Sequence, residues 1–286
     1  MRISDILLKK DTIFSCEIFP PKTGVKLEHA FEIAGKIAEL KPAFISVTCG
    51  AGGNTDVFTG ELAEHIEKFN VTALAHITCV ASPKEKITAI LDDYAGRGIK
   101  NVLALRGDLP DGGKQPANGC YKYANELVAA IKERSDFCIG AACYPEGHVE
   151  SASQDEDILY LKQKVEAGCD FLTTQMFFDN NVLYKFLFKL SQKGINVPVL
   201  AGIMPVTNKA QIQRILEISG TVLPPRFQNI LDKFGSNPAA MKQAGIAYAT
   251  EQIVDLVANN VRGIHLYTMN KPDIAEQIMR NLSHIL

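Results

Sequence analysis

Polar side chains in this sequence stand where short apolar runs end, and one of them stands inside a run. Glu17 interrupts the stretch F14-S-C-E-I-F19, just before Pro20 and Pro21. A charge in an apolar segment is costly unless it is paired or takes part in chemistry. A carboxyl group in such a place is suited to hold and deliver a proton, so the first expectation is general acid–base catalysis.

Several other apolar runs also end in polar residues. Because side chains alternate along a strand, Arg106 and Asp108 are expected on one strand face, as are Thr173 and Gln175. Guanidinium, imidazole and carboxylate groups at neighbouring strand ends would form a polar pocket. The residues at the run ends are Thr48, His76, Thr78, Arg106, Gly107, Asp108, Tyr144, His148 and Gln175.

Eight apolar runs are available to position these residues, and an amphipathic segment follows each of them. The runs span residues 12–19, 43–49, 71–80, 101–107, 137–144, 170–178, 197–204 and 262–269. The amphipathic segments span residues 26–40, 56–69, 83–97, 122–134, 153–167, 180–193, 207–218 and 272–285. Residues 221–260 interrupt the alternation and contain a long helix from Pro238 to about Asn260.

Strand–helix repeats predict parallel strands joined by right-handed crossovers. Eight repeats without a dinucleotide-binding fingerprint predict an α/β fold with a single domain. That fold is an eight-stranded (β/α)8 TIM barrel with extra helices between helix 7 and strand 8. An open sheet of six or seven strands is the alternative. Residues 1–10 are interpreted as a surface helix.

Active sites of such barrels lie at the carboxyl ends of the strands, so the polar residues are expected to converge there. Each also has a simpler interpretation. Glu17 could form a structural ion pair with Arg106, and His76 could be a hydrogen-bonded core histidine. Gln175 could bond to neighbouring backbone, and Asp108 could be a turn residue. The carboxylates at positions 155–157 could serve the N-terminus of a helix.

Composition limits the function classes. The 286 residues are 47% hydrophobic and 22% charged, with a formal net charge of −2 and no basic block. This balance argues against nucleic acid or a membrane surface as the partner, and no apolar run approaches the roughly 20 residues of a membrane span. Seven cysteines without a C-x-x-C pair predict reduced thiols in a cytoplasmic protein. No metal site is expected, because zinc-binding motifs are absent.

Seven motifs in chain order resemble the catalytic domain of methylenetetrahydrofolate reductase. They are SCEIFPP from Ser15, SVTCGA from Ser46, HITC from His76, LRGDLP from Leu105, YPEGH from Tyr144, TQMFFD from Thr174 and HLYTMN from His265. The resemblance implies one FAD-binding TIM-barrel catalytic domain over residues 1–286, of the bacterial type, without a C-terminal regulatory domain. It further implies NADH or NADPH as reductant and 5,10-methylenetetrahydrofolate as the substrate in one-carbon metabolism and methionine biosynthesis.

The same resemblance implies the roles of individual residues. Glu17 would be the general acid, with a raised pKa, that opens the substrate to a 5-iminium cation, and Asp108 would stabilise that cation. Substrate contacts would also come from Gln175, Gln211 and Lys271. The FAD contacts would be Thr48, Cys49, His76, Arg106, Gly107, Asp108, Tyr123, Ala124, Tyr144, His148, Asp157 and Lys164.

Four positions depart from residues known in relatives, and they bear on affinity rather than on the reaction. Cys49 replaces a tyrosine, Gln163 an arginine, Ile215 an aromatic residue and Lys271 an arginine. The preference for NADH or NADPH is left open. A homo-oligomer is expected. Two alternatives also stay open: a flavin- or folate-binding subunit that needs a partner redox protein, and another flavin barrel.

Overall fold

Eight parallel strands close into a barrel in the computed structural model of the chain. Each strand pairs with the next, and β8 pairs with β1. The closed barrel confirms the (β/α)8 prediction, and the open-sheet alternative is wrong. The strands are β1 Ile13–Ile18, β2 Phe44–Val47, β3 Thr72–Thr78, β4 Asn101–Leu105, β5 Cys138–Cys143, β6 Phe171–Thr174, β7 Val199–Ile203 and β8 Gly263–Tyr267.

The structure describes residues 1–9, 12–21, 26–49, 56–109 and 119–286. The side chains of Asp56, Arg214 and Ile218 are not among the described groups. Two predicted motifs run past these ranges, because SVTCGA ends at positions 50–51 and LRGDLP ends at position 110. Those residues lie outside the described part of the chain.

Helices α2 to α8 each follow one strand, and α11 follows β8. Helices α9 and α10 lie between α8 and β8, where extra helices were predicted. Within the described ranges, no helix has both the length and the apolar character needed to cross a membrane. The helices are α1 Ile3–Lys9, α2 Leu27–Ala38, α3 Asp56–Glu67, α4 Lys84–Gly96, α5 Ala124–Arg134, α6 Gln154–Glu166, α7 Asn180–Gln192, α8 Lys209–Ser219, α9 Pro225–Phe234, α10 Pro238–Ala258 and α11 Pro272–Asn281.

Short polar residues fix where several of these helices begin. The side chains of Ser153, Asp179, Asn208 and Asn237 each accept a hydrogen bond from a backbone N–H in the first turn that follows. Such caps satisfy donors that have no partner inside the helix. Helices α9, α10 and α11 place a proline at the first helical position, where its missing N–H costs nothing, and α10 therefore has both devices.

Strand alternation divides the core into an outer and an inner part. Residues such as Ile45 and Val102 point outward and pack beneath the helices. The inward positions near the strand beginnings carry bulky side chains, including Phe44, Phe171 and Leu200, which fill the lower barrel. The end of the barrel at the strand beginnings is therefore a packed apolar core, and the polar inward-facing residues lie toward the carboxyl ends of the strands.

The N-terminal helix closes the lower end of the barrel. Ile3, Ile6 and Leu7 are buried in the same cluster as the inward-facing strand residues. Asn101 at the start of β4 holds the helix, since its Oδ1 accepts from the Ile3 backbone N–H at 2.8 Å and its Nδ2 donates to the Met1 carbonyl at 3.0 Å. The prediction of a helix is confirmed. Its description as a surface helix is wrong, because one of its faces is core.

Candidate active site

Most of the predicted site residues occupy the carboxyl ends of the strands or the first turns of the helices that follow, whereas Lys164 lies in the last turn of α6. Gln211 lies in the first turn of α8, and Lys271 directly precedes α11. Tyr123 is the N-cap residue of α5, with Ala124 as the first residue of that helix. The predicted convergence at one end of the barrel is thus present in the backbone. The strand-end residues are Glu17, Thr48, Cys49, His76, Arg106, Gly107, Asp108, Tyr144, His148 and Gln175.

Glu17 lies in the upper barrel between two imidazoles. Its Oε2 is 3.6 Å from His76 Nε2 and 3.6 Å from His265 Nε2, and the Ser46 hydroxyl donates to the same oxygen at 3.3 Å. Only 19% of the Glu17 side chain is exposed. We call Glu17, Ser15, Ser46, His76 and His265 the carboxylate–imidazole cluster.

The hydrogen bonds around His265 form a continuous chain that ends at Glu17. His265 Nδ1 lies 2.8 Å from the Ser15 hydroxyl, which donates to the Ile264 carbonyl at 3.1 Å. His265 Nε2 lies 3.2 Å from the Ser46 hydroxyl, which donates to Glu17. These contacts connect His265 to Glu17 through the Ser46 hydroxyl, so the geometry provides a path along which a proton can move between the two side chains.

The pKa of Glu17 is held below its ordinary value, so the prediction of a raised pKa is wrong. Burial alone raises the pKa of this carboxyl group, as the sequence suggested. The hydrogen bond with His265, the charges of His76 and His265, and the bond from Ser46 together lower it by more. Sequence reasoning placed the carboxyl group in an apolar strand but did not identify the two imidazoles facing it.

His76 does not behave as a satisfied core histidine. Its side chain is buried, and no hydrogen-bond partner for its Nε2 is found in the described part of the chain. Burial lowers the pKa of His76 to about 4, against the opposing charge of Glu17. A buried polar atom without a partner is uncommon in a folded protein and indicates an atom that a ligand or water satisfies.

Arg106 pairs with Glu150 and not with Glu17, so the predicted structural ion pair is wrong. Arg106 Nη1 and Nη2 donate to the two oxygens of Glu150 at 2.5 and 2.7 Å. The hydrogen bond from Arg106 lowers the pKa of Glu150. This pair joins the end of β4 to the loop after β5, and it leaves Glu17 free to act with the histidines.

Gly107 lets the chain turn directly after β4. Its φ is +82°, a backbone conformation that L side chains rarely adopt. A Cβ atom there would lie 2.9 Å from Thr78 Cβ, which is closer than packed carbon atoms approach. The glycine of the predicted Arg106-Gly107-Asp108 motif is therefore required by both torsion and space. The Asp108 side chain is exposed beyond this turn.

The loop after β5 and helix α6 bring four predicted cofactor contacts close together. Tyr144 and His148 pack edge to face at 4.7 Å, and burial raises the pKa of Tyr144 to about 12. Burial and the charge of Arg106 lower the pKa of His148. Lys164 Nζ donates to the Ala142 carbonyl at 2.8 Å, and burial raises the pKa of Asp157 despite the charge of Lys164.

The acidic residues at the start of α6 divide into different roles. Asp155 forms an exposed ion pair with Lys189, and the Glu156 carboxylate accepts from the Ala152 backbone N–H at 2.7 Å. These two agree with the structural interpretation of the run. Asp157 is 9% exposed and turns inward, with the Ser151 hydroxyl donating to it at 3.4 Å.

The predicted folate contacts lie at the ends of β6, β7 and β8. Gln175 Oε1 accepts from the Met176 backbone N–H at 3.0 Å. This agrees with the simpler interpretation, in which the glutamine bonds to neighbouring backbone. Lys271 Nζ donates to the Thr207 hydroxyl at 3.0 Å, which ties the loop after β8 to the loop after β7. The Gln211 backbone N–H donates to the Asn208 side chain at 3.0 Å and so fixes the first turn of α8.

Four residues around Glu17 were not predicted as contacts: Ser15, Ser46, His265 and Tyr267. The Tyr267 hydroxyl donates to the Thr174 carbonyl at 2.6 Å, across the barrel interior above Gly202. A Cβ atom at Gly202 would overlap the Tyr267 ring, so the glycine makes room for it. The signal was present in the sequence, because alternation places His265 and Tyr267 on the same strand face.

A separate cavity of about 370 Å³ lies between α7, α9 and α10. None of the predicted site residues lines it. Its polar side chains bind one another: Asn180 donates to Asp255 at 2.7 Å, and Arg226 pairs with Glu251. The cavity is therefore a junction between helices and not a second polar pocket of the barrel end.

Comparison with known protein families agrees with the motifs. The family described as "Methylenetetrahydrofolate reductase" matches residues 2–283. The chain belongs to this family. A bacterial 5,10-methylenetetrahydrofolate reductase from Pectobacterium carotovorum is 34% identical over 94% of this chain and 89% of its own length. The Escherichia coli protein of the same description is 32% identical over 94% of this chain and 90% of its own.

Plant members of the methylenetetrahydrofolate reductase family are longer than the matched region. "Methylenetetrahydrofolate reductase (NADH) 1" of Arabidopsis thaliana is 36% identical over 99% of this chain but only 50% of its own length. The chain thus spans about half the length of such relatives. Among solved structures, an uncharacterized Clostridium thermocellum protein that binds two copies of 5-methyl-5,6,7,8-tetrahydrofolic acid shares the fold, with a TM-score of 0.70 and 14% identity. That match covers 100% of this chain and 99% of the other.

Proposed function

We propose that this chain reduces 5,10-methylenetetrahydrofolate to 5-methyltetrahydrofolate with NADH or NADPH, in a ping-pong sequence that uses FAD. The observation that carries the proposal is the position of the carboxylate–imidazole cluster at the strand ends of a barrel whose family match spans residues 2–283. The bacterial relatives named for this reaction align over nearly all of their length. We further propose that residues 1–286 act as one FAD-binding catalytic domain.

The residues at the ends of β4 and β5 fit a cofactor that carries a diphosphate. Arg106 holds an anionic group, the Glu150 carboxylate, through both terminal nitrogens, and a phosphate presents the same geometry to a guanidinium. His76 Nε2 is a buried polar atom that a bound ring could satisfy. When bound, the flavin would supply the hydride chemistry. The residues proposed to hold it are Thr48, Cys49, His76, Arg106, Gly107, Asp108, Tyr123, Ala124, Tyr144, His148, Asp157 and Lys164.

Glu17 is proposed as the general acid that protonates the leaving N10 as the substrate opens to its 5-iminium cation. Because its pKa is lowered, Glu17 carries a negative charge at rest and needs to receive a proton before it can act as an acid. The chain from His265 through Ser46 supports this role, because it can return a proton to the carboxylate after each transfer. Asp108 is proposed to stabilise the cation through its negative charge.

The remaining proposed substrate contacts follow β6, β7 and β8. Gln175 follows β6, which the Tyr267 hydroxyl secures through the Thr174 carbonyl. Gln211, in the first turn of α8, and Lys271, directly before α11, follow two loops that the Lys271–Thr207 hydrogen bond joins. An ammonium group at position 271 is a point charge, so it is proposed to bind the carboxylates of the folate tail without the two-pronged geometry of arginine.

Anaerobic spectroscopy of the purified protein tests the proposed function. The protein is expected to bind FAD and turn yellow, to lose its colour with NADH or NADPH, and to regain it with 5,10-methylenetetrahydrofolate. A protein that binds no FAD would contradict the proposal. Loss of colour only after addition of a second protein would favour the partner-subunit alternative. The same samples, run with each nicotinamide, give the coenzyme preference.

Two further proposals concern the state of the protein in the cell. A cytoplasmic location is supported by the seven cysteines, all of which are reduced in the structure. Burial raises the pKa of Cys16 and Cys143, so these thiols are poorly reactive core residues. A homo-oligomer stays a prediction, for which size-exclusion chromatography with light scattering is the measurement.

A further inference from the structure

Glu150 occupies the same edge of Arg106 that an incoming phosphate would use. The two Arg106 terminal nitrogens each donate to one oxygen of Glu150, at 2.5 and 2.7 Å. A guanidinium offers one such parallel pair of N–H groups along this edge, and carboxylates and phosphates bind it in the same way. Glu150 and a phosphate group therefore compete for one ligand site.

The Arg106–Glu150 ion pair is partly exposed, and only the backbone next to it is fixed by other hydrogen bonds. The Glu150 side chain is 52% exposed and that of Arg106 is 22% exposed. The Glu150 backbone N–H donates to His148 Nδ1 at 3.2 Å, and the Ser151 backbone N–H donates to the His148 carbonyl at 3.0 Å. The backbone of this turn is thus fixed by His148, while the Glu150 side chain is bound through its carboxylate alone. Because half of the Glu150 side chain is open to solvent, the carboxylate can leave Arg106 for water when another anion binds there.

The charges around the pair favour displacement once a dianion arrives. Arg106 and Lys164 are the cations that act on His148, and Glu150 and Asp157 are the anions that act on it. These four charges cancel while Glu150 stays in place. Because burial lowers the pKa of His148, its imidazole adds little positive charge near neutral pH. The Asp108 carboxylate also acts on Arg106, so removal of the Glu150 carboxylate leaves the group balanced instead of negative toward a diphosphate.

We propose that Glu150 is a built-in competitor for the cofactor site: its carboxylate occupies Arg106 and must swing into solvent before the diphosphate of FAD can bind there. This rests on the proposed flavin-dependent function. It assigns to Glu150 a regulatory role in cofactor exchange, in which the carboxylate weakens the binding of FAD and reoccupies Arg106 when FAD leaves. Glu150 is a positioning residue for Arg106 and takes no part in the reaction itself.

Equilibrium binding of FAD to apoprotein, followed by quenching of flavin fluorescence, tests the proposal. Glu150→Gln is expected to tighten FAD binding by roughly fivefold, because binding then no longer has to break a partly exposed ion pair. The matched control is Glu166→Gln, which removes the same charge from an exposed position near the end of α6; it should leave the affinity unchanged. In an Arg106→Gln background, Glu150→Gln should lose its effect, because the competition for the guanidinium is gone.

The outcomes separate this proposal from the proposed function. If wild-type protein binds FAD and Glu150→Gln binds it equally well or more weakly, the competition is refuted and the function stands. If wild-type protein binds no FAD, the function fails, and inorganic pyrophosphate then serves as the probe. Its stabilisation of the protein in thermal melts should be larger for Glu150→Gln than for wild type. Equal stabilisation of the two proteins would refute the competition in that case as well.

Discussion

Glu17 shows how two opposing effects on one carboxyl group are decided by its neighbours. Burial in an apolar strand raises its pKa, and two imidazoles with a serine hydroxyl lower it by more. The sequence predicted the first effect from the stretch around Glu17. It could not predict the second, because His76 and His265 come from strands that meet Glu17 only in the closed barrel. The position of Glu17 at a strand end was predicted correctly, and the direction of its pKa shift was not.

His76 gives a prediction about pH and stability. Its pKa in the folded chain is about 4, against an ordinary value of 6.5, so the unfolded chain binds a proton in this interval that the folded chain does not. Stability therefore falls as the pH decreases through this interval. Between about pH 7 and about pH 5, wild-type protein should lose about 2 kcal/mol more of its unfolding free energy than His76→Gln. Urea denaturation at the two pH values measures it.

The control for this experiment is His29→Gln. The His29 side chain is 72% exposed, so its replacement should leave the pH dependence of wild type unchanged. Equal losses in wild type and His76→Gln would mean that His76 is protonated in the folded protein. That result would contradict the conclusion that His76 Nε2 is buried without a hydrogen-bond partner in the folded protein.

Among the elements, α10 is the one that positions the loop after β7. It packs so closely that a Cβ atom at Gly245 would lie 1.8 Å from the Val206 carbonyl oxygen. Val206 precedes Thr207, which accepts the hydrogen bond from Lys271. The extra helices between α8 and β8 thus support the proposed folate side of the site. The sequence predicted their existence from the interrupted repeat, but a glycine inside a helical pattern does not reveal which backbone approaches it.

Replacement of this glycine tests the positioning. Gly245→Ala adds a methyl group that overlaps the Val206 carbonyl, and we expect it to cost about 1–3 kcal/mol of stability. It should also raise the KM for 5,10-methylenetetrahydrofolate while leaving FAD binding close to that of wild type. Thermal denaturation and steady-state kinetics are the measurements.

Gly96→Ala is the matched control. Gly96 is the last residue of α4, and a Cβ atom there would meet nothing within 4 Å. The alanine should be neutral or slightly stabilising, as expected for a better helix former. If Gly245→Ala were equally harmless, the close contact with Val206 would not control the loop.

At the scale of the whole molecule, the barrel could be predicted because each of its eight units carries its own local pattern. The apolar alternation, the caps and the helical period are all readable within one repeat, as for β6 and α7. The side-chain partners are not local. Arg106 was expected beside Glu17 because both end a strand, yet the loop after β5 supplies Glu150 instead. Nothing in the local sequence around position 150 predicts that pair.

The two proposed half-reactions would share one face of the barrel but would need different residues. Reduction of the flavin by NADH or NADPH needs a hydride and no proton donor at N10. Reduction of the folate needs both, and the carboxylate–imidazole cluster is the group placed to deliver the proton. Loss of the Glu17 carboxylate should therefore affect one half-reaction only.

Stopped-flow absorbance of FAD-loaded wild type and Glu17→Gln, with each half-reaction followed separately, tests this account most directly. Glu17→Gln should keep the rate of flavin reduction by NADH or NADPH within a fewfold of wild type. It should lose at least about 10²-fold in reoxidation by 5,10-methylenetetrahydrofolate, the share typical of a general acid. An equal loss in both half-reactions would show that Glu17 is structural, and no loss in either would place the proton donor elsewhere.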